Sequence, residues 1–400
     1  MARQSPLMER LAEFEPTLLG YGSGDPAVPV VESFGELEFE YASLRRSAVL
    51  IDQPHRGTVE ARGKDTLEFL NRMLTQKLTG APGAGAGAAP GLGWSVESFW
   101  LNRQGRIVAD LRLMVLESRV LIDVDVHAAG AVVESLESYL FSEDVELLDA
   151  TERVHRIGVQ GPDGPRLLAA AVANTDGGES ATGAFGKENT CALVRIAGHE
   201  VIVDRWDRTG EPGLELTVEV SAADDVWAAL IAAAEQSNIR VRPAGWHAFN
   251  IARIEAGTPL FMLDFGSDSR PAETTLVPSH VSLNKGCYLG QEIVARMHNL
   301  GHPKQRLAAI RLDEPKKAGN FQPITGTEVV AVGEAGDAGA AVGAVTSSTV
   351  SPMLGGEVIC FAMLKWSHAK DACKVGFHHD GGLLRGTVRE RLKFWPRDDG

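Results

Sequence analysis

Cysteine is scarce in this chain of 400 residues, which has only four, at positions 191, 287, 360 and 373. The four form no close pair and no Cys-x-x-Cys motif. This spacing argues against a disulfide scaffold and against a permanently bound zinc ion or cluster. We therefore expect a reducing, cytoplasmic environment and predict no metal site.

Positive charge and long apolar runs are also limited. Lys and Arg total 39 against 53 Asp and Glu, which gives a formal net charge of −14. Because such a chain repels a phosphate backbone and an anionic membrane, we expect no nucleic-acid partner and no membrane surface as partner. No apolar run approaches the roughly 18 residues of a membrane-spanning helix. The N-terminus also lacks the basic stretch of a secretory signal.

Apolar residues make up 44% of the sequence, enough to bury a large core in two or three domains. Polar, Gly-rich breaks divide the chain. We predict an N-terminal extension at 1–40, a main region at 41–313 and a C-terminal domain at 326–400. The main region is predicted to contain two subdomains that meet near 175–190.

Strand-like and helix-like patterns alternate along the chain. Residues 65–76 have helical apolar spacing, with Asp65 placed to cap the helix. Residues 120–126 alternate apolar side chains with aspartates, which predicts a half-exposed strand. Residues 154–160 predict a strand and 191–204 a hairpin. This order of elements favours an α+β fold with antiparallel sheets.

The segment 285–292, KGCYLGQE, places Cys287 between a lysine, two glycines and a carboxylate. Lys285 lies two residues away and would favour the thiolate form of Cys287. We therefore take Cys287 as a candidate nucleophile and Lys285 as its candidate catalytic partner. The alternative is a buried structural cysteine, the common state of a free cysteine.

This segment resembles the signature of the YgfZ family. Members of that family are folate-binding relatives of the glycine-cleavage aminomethyltransferase and act in the assembly or repair of iron-sulfur proteins. Further stretches, running from about residue 44 to 365, are similar to the same superfamily. The main ones are residues 101–111, 209–215 (TGEPGLE), 253–257 (RIEAG) and 343–355.

The resemblance implies two ferredoxin-like α/β layers around a central cavity, followed by a small C-terminal β-barrel. It also implies that tetrahydrofolate or a one-carbon derivative binds in that cavity. A pterin needs carboxylates for its ring N–H groups, aromatic faces, and a cation for its glutamate tail. The resemblance makes Asp110 and Glu215 the candidate acceptors, Arg253 the cation, and Trp246 and Tyr288 the ring contacts.

Each of these assignments has a plainer alternative. Acidic side chains are mostly exposed and solvated, so Asp110 and Glu215 could be ordinary surface carboxylates. Arg253 could simply pair with Glu255 nearby, and Trp246 could be part of the core.

Two departures separate the chain from the aminomethyltransferase pattern. Ala109 precedes Asp110 where that enzyme has paired aspartates, and Phe249 and Asn250 replace an arginine and an aspartate. Both changes weaken the case for lipoyl-linked aminomethyl transfer. Cys287 instead favours a YgfZ-type role.

We therefore expect a monomeric folate-binding protein that supports iron-sulfur client or assembly proteins. The alternative is a folate-dependent aminomethyltransferase or one-carbon demethylation enzyme. A third hypothesis is a module that senses folate or recruits a partner. The folate form and the role of Cys287, as nucleophile, redox sensor or transient ligand, stay open.

Overall fold

The computed structural model describes residues 3–22, 27–79, 92–173, 185–313, 319, 321–333, 335–380 and 382–395. The chain divides into two compact units. The first unit comprises Met1–Trp100, Ala109–Phe249 and Asn284–Tyr288, and the second comprises Leu101–Val108, Asn250–Leu283 and Leu289–Gly400. The predicted subdomain break near 175–190 falls largely outside the described residues.

The described helices are α1 (Met8–Ala12), α2 (Leu37–Arg46), α3 (Thr66–Met73), α4 (Ala129–Glu137), α5 (Gly164–Ala173), α6 (Ala223–Gln236), α7 (Trp246–Ala256), α8 (Val277–His280) and α9 (Gln291–Leu300). Within the described ranges, no helix has the length and apolar character needed to cross a membrane.

The described strands that lie wholly or mainly in the first unit are β1 (Thr17–Tyr21), β2 (Val28–Ser33), β3 (Ala48–Asp52), β4 (Arg56–Arg62), β5 (Leu92–Leu101), β6 (Ile107–Val115), β7 (Val120–Asp125), β8 (Glu146–Asp149), β9 (Val154–Gln160), β10 (Thr190–Ile196), β11 (His199–Arg205), β12 (Gly213–Glu219) and β13 (Val241–Pro243). Those of the second unit are β14 (Gln305–Leu312), β15 (Glu328–Val332), β16 (Ala338–Ser351), β17 (Glu357–Lys365), β18 (Lys374–His379) and β19 (Gly382–Arg389).

One large sheet forms the frame of the first unit. In the described part of the chain its strand order is β13-β3-β9-β12-β11-β10-β5-β6-β7-β4-β8. Strand β13 pairs with β3 in parallel, whereas β3, β9, β12, β11 and β10 pair antiparallel in turn. Strands β1 and β2 form a separate hairpin.

The sheet consists of two ferredoxin-like halves. One half runs β4-α3-β6-β7-α4-β8 along the chain and has the order β8-β4-β7-β6 in space. The other contains β9, α5, β11, β12 and α6, and β3 takes the place of its fourth strand. Strands β10 and β5 join the halves, with Thr190 opposite Trp94. The predicted α+β class with ferredoxin-like layers is confirmed.

The two faces of this sheet differ in chemistry because successive side chains of a strand point to opposite sides. On β12, Leu214 and Leu216 join a fully buried apolar cluster with residues of α5 and α6, such as Leu167 and Leu230. Glu215, between the two leucines, points to the other face. That second face is also buried, but it carries charged side chains. We call it the polar face.

Strand β7 also carries charged side chains on a buried face. Its alternating pattern predicts a half-exposed strand, and that prediction is wrong, because every residue from Val120 to Asp125 is buried. Asp123 accepts hydrogen bonds from Arg56, one of them at 2.8 Å, and Asp125 accepts one from the Tyr21 hydroxyl at 2.5 Å. The aspartates are therefore turned toward protein partners and not toward water.

Two other local predictions have different outcomes. Helix α3 is confirmed, but Asp65 does not cap it through its side chain. Its carboxylate instead accepts a hydrogen bond from the Asp144 backbone N–H at 2.8 Å. The hairpin of β10 and β11 is confirmed, and Ala197 and Gly198 form its turn with φ of 52° and 82°.

A closed barrel with the order β14-β17-β16-β15-β18-β19 dominates the second unit, which confirms the predicted C-terminal barrel. Its interior is apolar and includes Ile310, Val345 and Phe377. The first barrel strand begins at Gln305, upstream of the predicted start of that domain at 326. The exact domain boundaries stay predictions.

The N-terminal segment is part of the first unit's core. Leu7 and Leu11 are 0% exposed and pack in the same apolar cluster as Leu214. The Ser5 hydroxyl donates to Asp52 Oδ1 at 2.8 Å, and Arg10 pairs with Asp224. Residues 5–11 therefore contribute to folding directly.

We expect Leu7→Ala to lower the free energy of unfolding by about 2 to 5 kcal/mol, because it opens a cavity in a fully buried cluster. Chemical denaturation measures the change. Leu18→Ala is the matched control, since Leu18 is 48% exposed and should cost well under about 1 kcal/mol. Equal losses in the two variants would contradict the packing described here.

Candidate ligand-binding site

A bidentate ion pair lies at the centre of the polar face. Arg112 on β6 donates from Nε and Nη2 to the two carboxylate oxygens of Asp204 on β11, both at 2.9 Å. Both side chains are 1% exposed. Burial alone would lower the pKa of Arg112, but the adjacent Asp204 raises it above its ordinary value. Asp204 stands directly opposite Glu215 on β12.

Glu215 forms a second buried group with Gln53, Gln160 and Arg208, which we call the Glu215 cluster. Its Oε2 accepts from Gln53 Nε2 at 2.6 Å, and its Oε1 accepts from Gln160 Nε2 at 3.0 Å and from Arg208 Nη2 at 2.6 Å. A carboxylate has about four acceptor positions. Three are filled here by protein donors, so Glu215 is a paired, buried acid and not a solvated surface carboxylate.

Arg208 brings an aromatic surface to this cluster. Its guanidinium lies over the rings of Trp206, at 4.3 Å from the centroid, and Phe249, at 5.1 Å. Its buried Nε–H has no hydrogen-bond partner among the described residues. Gly158 leaves room for the Gln53 amide that contacts Glu215, because a Cβ at position 158 would lie 2.4 Å from Gln53 Nε2.

Trp246 lies in an adjoining aromatic group in the first unit. Its ring meets those of Tyr21, His55 and Phe249 at centroid distances of 5.8, 5.2 and 5.7 Å. Burial, together with the charges of Arg56 and Arg208, holds the pKa of His55 well below its usual range, so its imidazole is neutral. Phe249 therefore links Trp246 to the Glu215 cluster.

Asp110 is half-buried on β6. Because it lies two residues before Arg112 on the same strand, it shares the polar face with Glu215. Three strands lie between β6 and β12 in the sheet order. The structure therefore places the two candidate acceptors on one face, at separate positions along it.

Lys285 is buried, and its ammonium donates to three backbone carbonyls in the last turn of α3 and just beyond it. The acceptors are the oxygens of Asn71, Leu74 and Gln76, at 2.5, 2.6 and 2.8 Å. Burial lowers the pKa of Lys285 to about 8. These contacts use all three donors of the ammonium, so they give no support to the predicted assistance of Cys287. A catalytic role for Lys285 stays a prediction.

The two other candidates of this segment differ in exposure. Cys287 is exposed, whereas Tyr288 is 8% exposed and lies with its ring centroid 5.4 Å from the Lys285 ammonium. Burial raises the pKa of Tyr288 to about 12, so its phenol keeps its proton at neutral pH. The buried Lys285 and Tyr288 thus flank the exposed thiol in sequence.

Arg253 is buried in the second unit, where protein groups engage its guanidinium. It pairs with Asp264 at 2.6 Å and donates to Ser347 Oγ at 2.7 Å and to Asn250 Oδ1 at 2.8 Å. The suggested pairing with Glu255 is not the one observed, since Asp264 takes that place. Arg253 is 1% exposed, and its role as the cation for a folate tail stays a prediction.

Sequence reasoning missed several members of the polar face, although two of them lie beside a stretch that it had singled out. Arg208 immediately precedes the 209–215 segment, and Arg112 follows Asp110 by two residues. Gln53 follows β3 directly. The sequence did contain a signal for these residues. A charged or amide side chain within or beside an otherwise apolar strand indicates a buried polar group that needs a partner.

This fold belongs to a known class of protein. Residues 8–285 match the family model described as the GCVT N-terminal domain, and the chain belongs to that family. The aminomethyltransferase of Caldanaerobacter subterraneus is 26% identical, over 88% of this chain and 85% of its own length. That of Thermotoga maritima is 27% identical, over 98% and 100%.

A solved structure has the same fold as this chain. The glycine cleavage system aminomethyltransferase T of Bartonella henselae superposes with a TM-score of 0.80 at 21% identity, covering 99% of this chain and 98% of that one. Membership of the YgfZ family within this superfamily stays a prediction.

We expect limiting iodoacetamide to label Cys287 first, because the thiolate is the reacting form and Cys287 is exposed. Burial raises the pKa of Cys191 to about 12 and also raises the pKa of Cys360 and of Cys373. Peptide mass mapping gives the order. In Cys287→Ser the first-labelled site should disappear. Labelling of Cys287 after Cys191 would show that it is a structural residue.

Proposed function

We propose that this protein binds tetrahydrofolate and transfers a one-carbon unit at the aminomethyl level. The observation that carries the proposal is the similarity to aminomethyltransferases over 88% to 98% of the chain. Tetrahydrofolate supplies two nitrogens that accept the one-carbon unit together, one in the reduced pterin ring and one in the anilino group next to it. With an aminomethyl thioether as donor, the balanced products are methylene-tetrahydrofolate, ammonia and a thiol.

The Glu215 cluster fits a pterin in two respects. Glu215 keeps one of its four acceptor positions, which suits a ring N–H, and the Arg208 Nε–H is a buried donor still able to bond. The flat faces of Trp206 and Phe249 beside Arg208 suit a planar heterocycle. The existing contacts hold these groups in place before any ligand arrives, which lowers the cost of ordering them on binding.

Asp110 is the proposed proton acceptor. A half-buried carboxylate on the polar face suits a group that takes a proton from a ring nitrogen and returns it to the leaving group. Ala109 leaves this chain with one carboxylate where the aminomethyltransferase pattern has two. The proposal therefore assigns the whole proton transfer to Asp110.

We expect Asp110→Asn and Glu215→Gln to weaken tetrahydrofolate binding by roughly ten- to a hundredfold, because each removes a charge-assisted hydrogen bond worth about 1.5 to 3 kcal/mol. Anaerobic calorimetric titration measures the affinity. Glu117→Gln, at an exposed position of the same unit, is the control.

Asp110→Asn is the cleaner of the two tests, since Glu215→Gln leaves the buried Arg208 without its counter-ion. Unfolding curves of each variant separate lost binding from lost folding. Unchanged affinity in both variants would show that Asp110 and Glu215 do not bind tetrahydrofolate. Binding without formation of methylene-tetrahydrofolate from an aminomethyl thioether would leave a folate-binding module in place of an enzyme.

The exposure of Cys287 favours a second candidate, a YgfZ-type role in supporting iron-sulfur proteins. Its thiol is accessible, while Lys285 and Tyr288 on either side of it are buried. An exposed thiol on an anchored segment suits a nucleophile or a transient soft-metal ligand.

For this candidate we expect Cys287→Ser to keep tetrahydrofolate affinity within about twofold but to fail to restore iron-sulfur enzyme activity in cells that lack the native gene. Serine preserves the size of the side chain and removes its sulfur chemistry. Aconitase-type activity under oxidative load is the measurement, with Cys373→Ser as control. Full restoration by Cys287→Ser would show that the thiol is dispensable.

A further inference from the structure

A groove of about 570 Å³ lies between α2, α6 and β13 in the first unit. Its apolar lining includes Phe39 from α2, Ile231 from α6, and Ile239 and Val241. Phe39 is 60% exposed, an unusual state for a large aromatic side chain. The groove shares no residue with the Glu215 cluster.

Three arginines line the same groove: Arg46, Arg240 and Arg242. Arg46 and Arg240 are exposed, and neither makes a hydrogen bond or an ion pair with any residue that the structure describes. Arg242 pairs with Glu36 at 3.1 Å and lies 5.5 Å from the Phe39 ring centroid.

The charge of this groove is opposite to that of the chain. One acid, Glu235, lines it against the three arginines, while the chain as a whole has a formal net charge of −14. Local positive charge around an apolar surface attracts small anions. A long polyanion such as nucleic acid would also meet the surrounding negative charge, so the contrast favours a small ligand.

The stabilising effect of a cation at a helix C-terminus explains only one of the three arginines in the groove. Helix α2 ends at Arg46, and a cation there stabilises the negative end of the helix. Arg240 lies beyond α6, which ends at Gln236, and Arg242 lies on β13. Since the effect fades within the last turn, it does not account for all three arginines around one groove.

We propose that this groove binds a small organic anion with a flat apolar body. The body lies against Phe39 and Ile239, and its carboxylate or phosphate group meets Arg46 and Arg240, which have no partner among the described residues. The volume lies within the range of about 300 to 1,000 Å³ that small-molecule sites occupy. The site is separate from the proposed folate site and does not depend on it.

Fluorescence titration with 8-anilinonaphthalene-1-sulfonate, an aromatic anion, tests the site on the full chain without added folate, because tetrahydrofolate is itself a flat organic anion and would compete for the groove. We expect a saturable binding component. Arg46→Ala and Arg240→Ala should each weaken it about three- to fivefold, as for exposed ion pairs. Phe39→Ala should weaken it about tenfold, through loss of apolar contact.

Two control variants lie outside the groove. Phe141→Ala removes an aromatic ring that is 90% exposed, and Lys64→Ala removes an exposed positive charge. Both should leave the affinity unchanged. Because all five substituted side chains are exposed, unfolding curves should stay close to that of the native chain.

Competition then tests the chemistry of the ligand. 2-Naphthoate should displace the probe, whereas inorganic phosphate, which has no apolar body, should displace it at least tenfold less well. Three results would each overturn the proposal: no saturable binding, binding that the Phe39, Arg46 and Arg240 variants leave unchanged, or displacement by phosphate as effective as that by 2-naphthoate.

Discussion

Paired charges inside the sheet are the constraint on which the rest of the first unit depends. Arg112 with Asp204 and Arg208 with Glu215 are nearly fully buried, and the charge of each ion is compensated by that of its partner. Removing one partner of such a pair costs about 3 to 5 kcal/mol, because the other charge is left uncompensated. Substitutions within these two ion pairs therefore affect folding and the proposed site at once.

The same pairing gives the site its stiffness. Glu215 is fixed from three directions, and Arg208 lies against two aromatic rings while it bonds to the carboxylate. Groups held in this way do not need to be ordered by a ligand. Stability and binding geometry on this face thus have one physical origin.

Much of the architecture could be predicted from periodicity, because alternation and helical spacing report which side of an element is apolar. Helix α3, strand β9 and the hairpin at Ala197 follow from such local patterns. Alternation does not report whether the polar side meets water. For that reason strand β7 was wrongly predicted to be half-exposed. Asp123 is buried and accepts a hydrogen bond from Arg56, which is distant in sequence.

The candidate site shows the same limit. Motif similarity singled out Asp110 and Glu215. Arg208 was missed because its pairing with Glu215 depends on tertiary packing, which the sequence motifs do not report. For Lys285, two residues of separation from Cys287 suggested an electrostatic link. Backbone carbonyls at the end of α3, such as that of Leu74, engage the ammonium instead, because a helix end leaves such acceptors without an intrahelical donor.

That contact also bears on how the chain is made. Lys285 and Leu74 are 211 residues apart, and the chain passes through part of the second unit before it returns to supply the lysine. During synthesis the last carbonyls of α3 therefore remain hydrated until residue 285 has emerged. Contacts of such long sequence separation form late in folding. A nascent chain that stops short of this lysine has an unfinished first unit, the kind of species that chaperones hold and proteases remove.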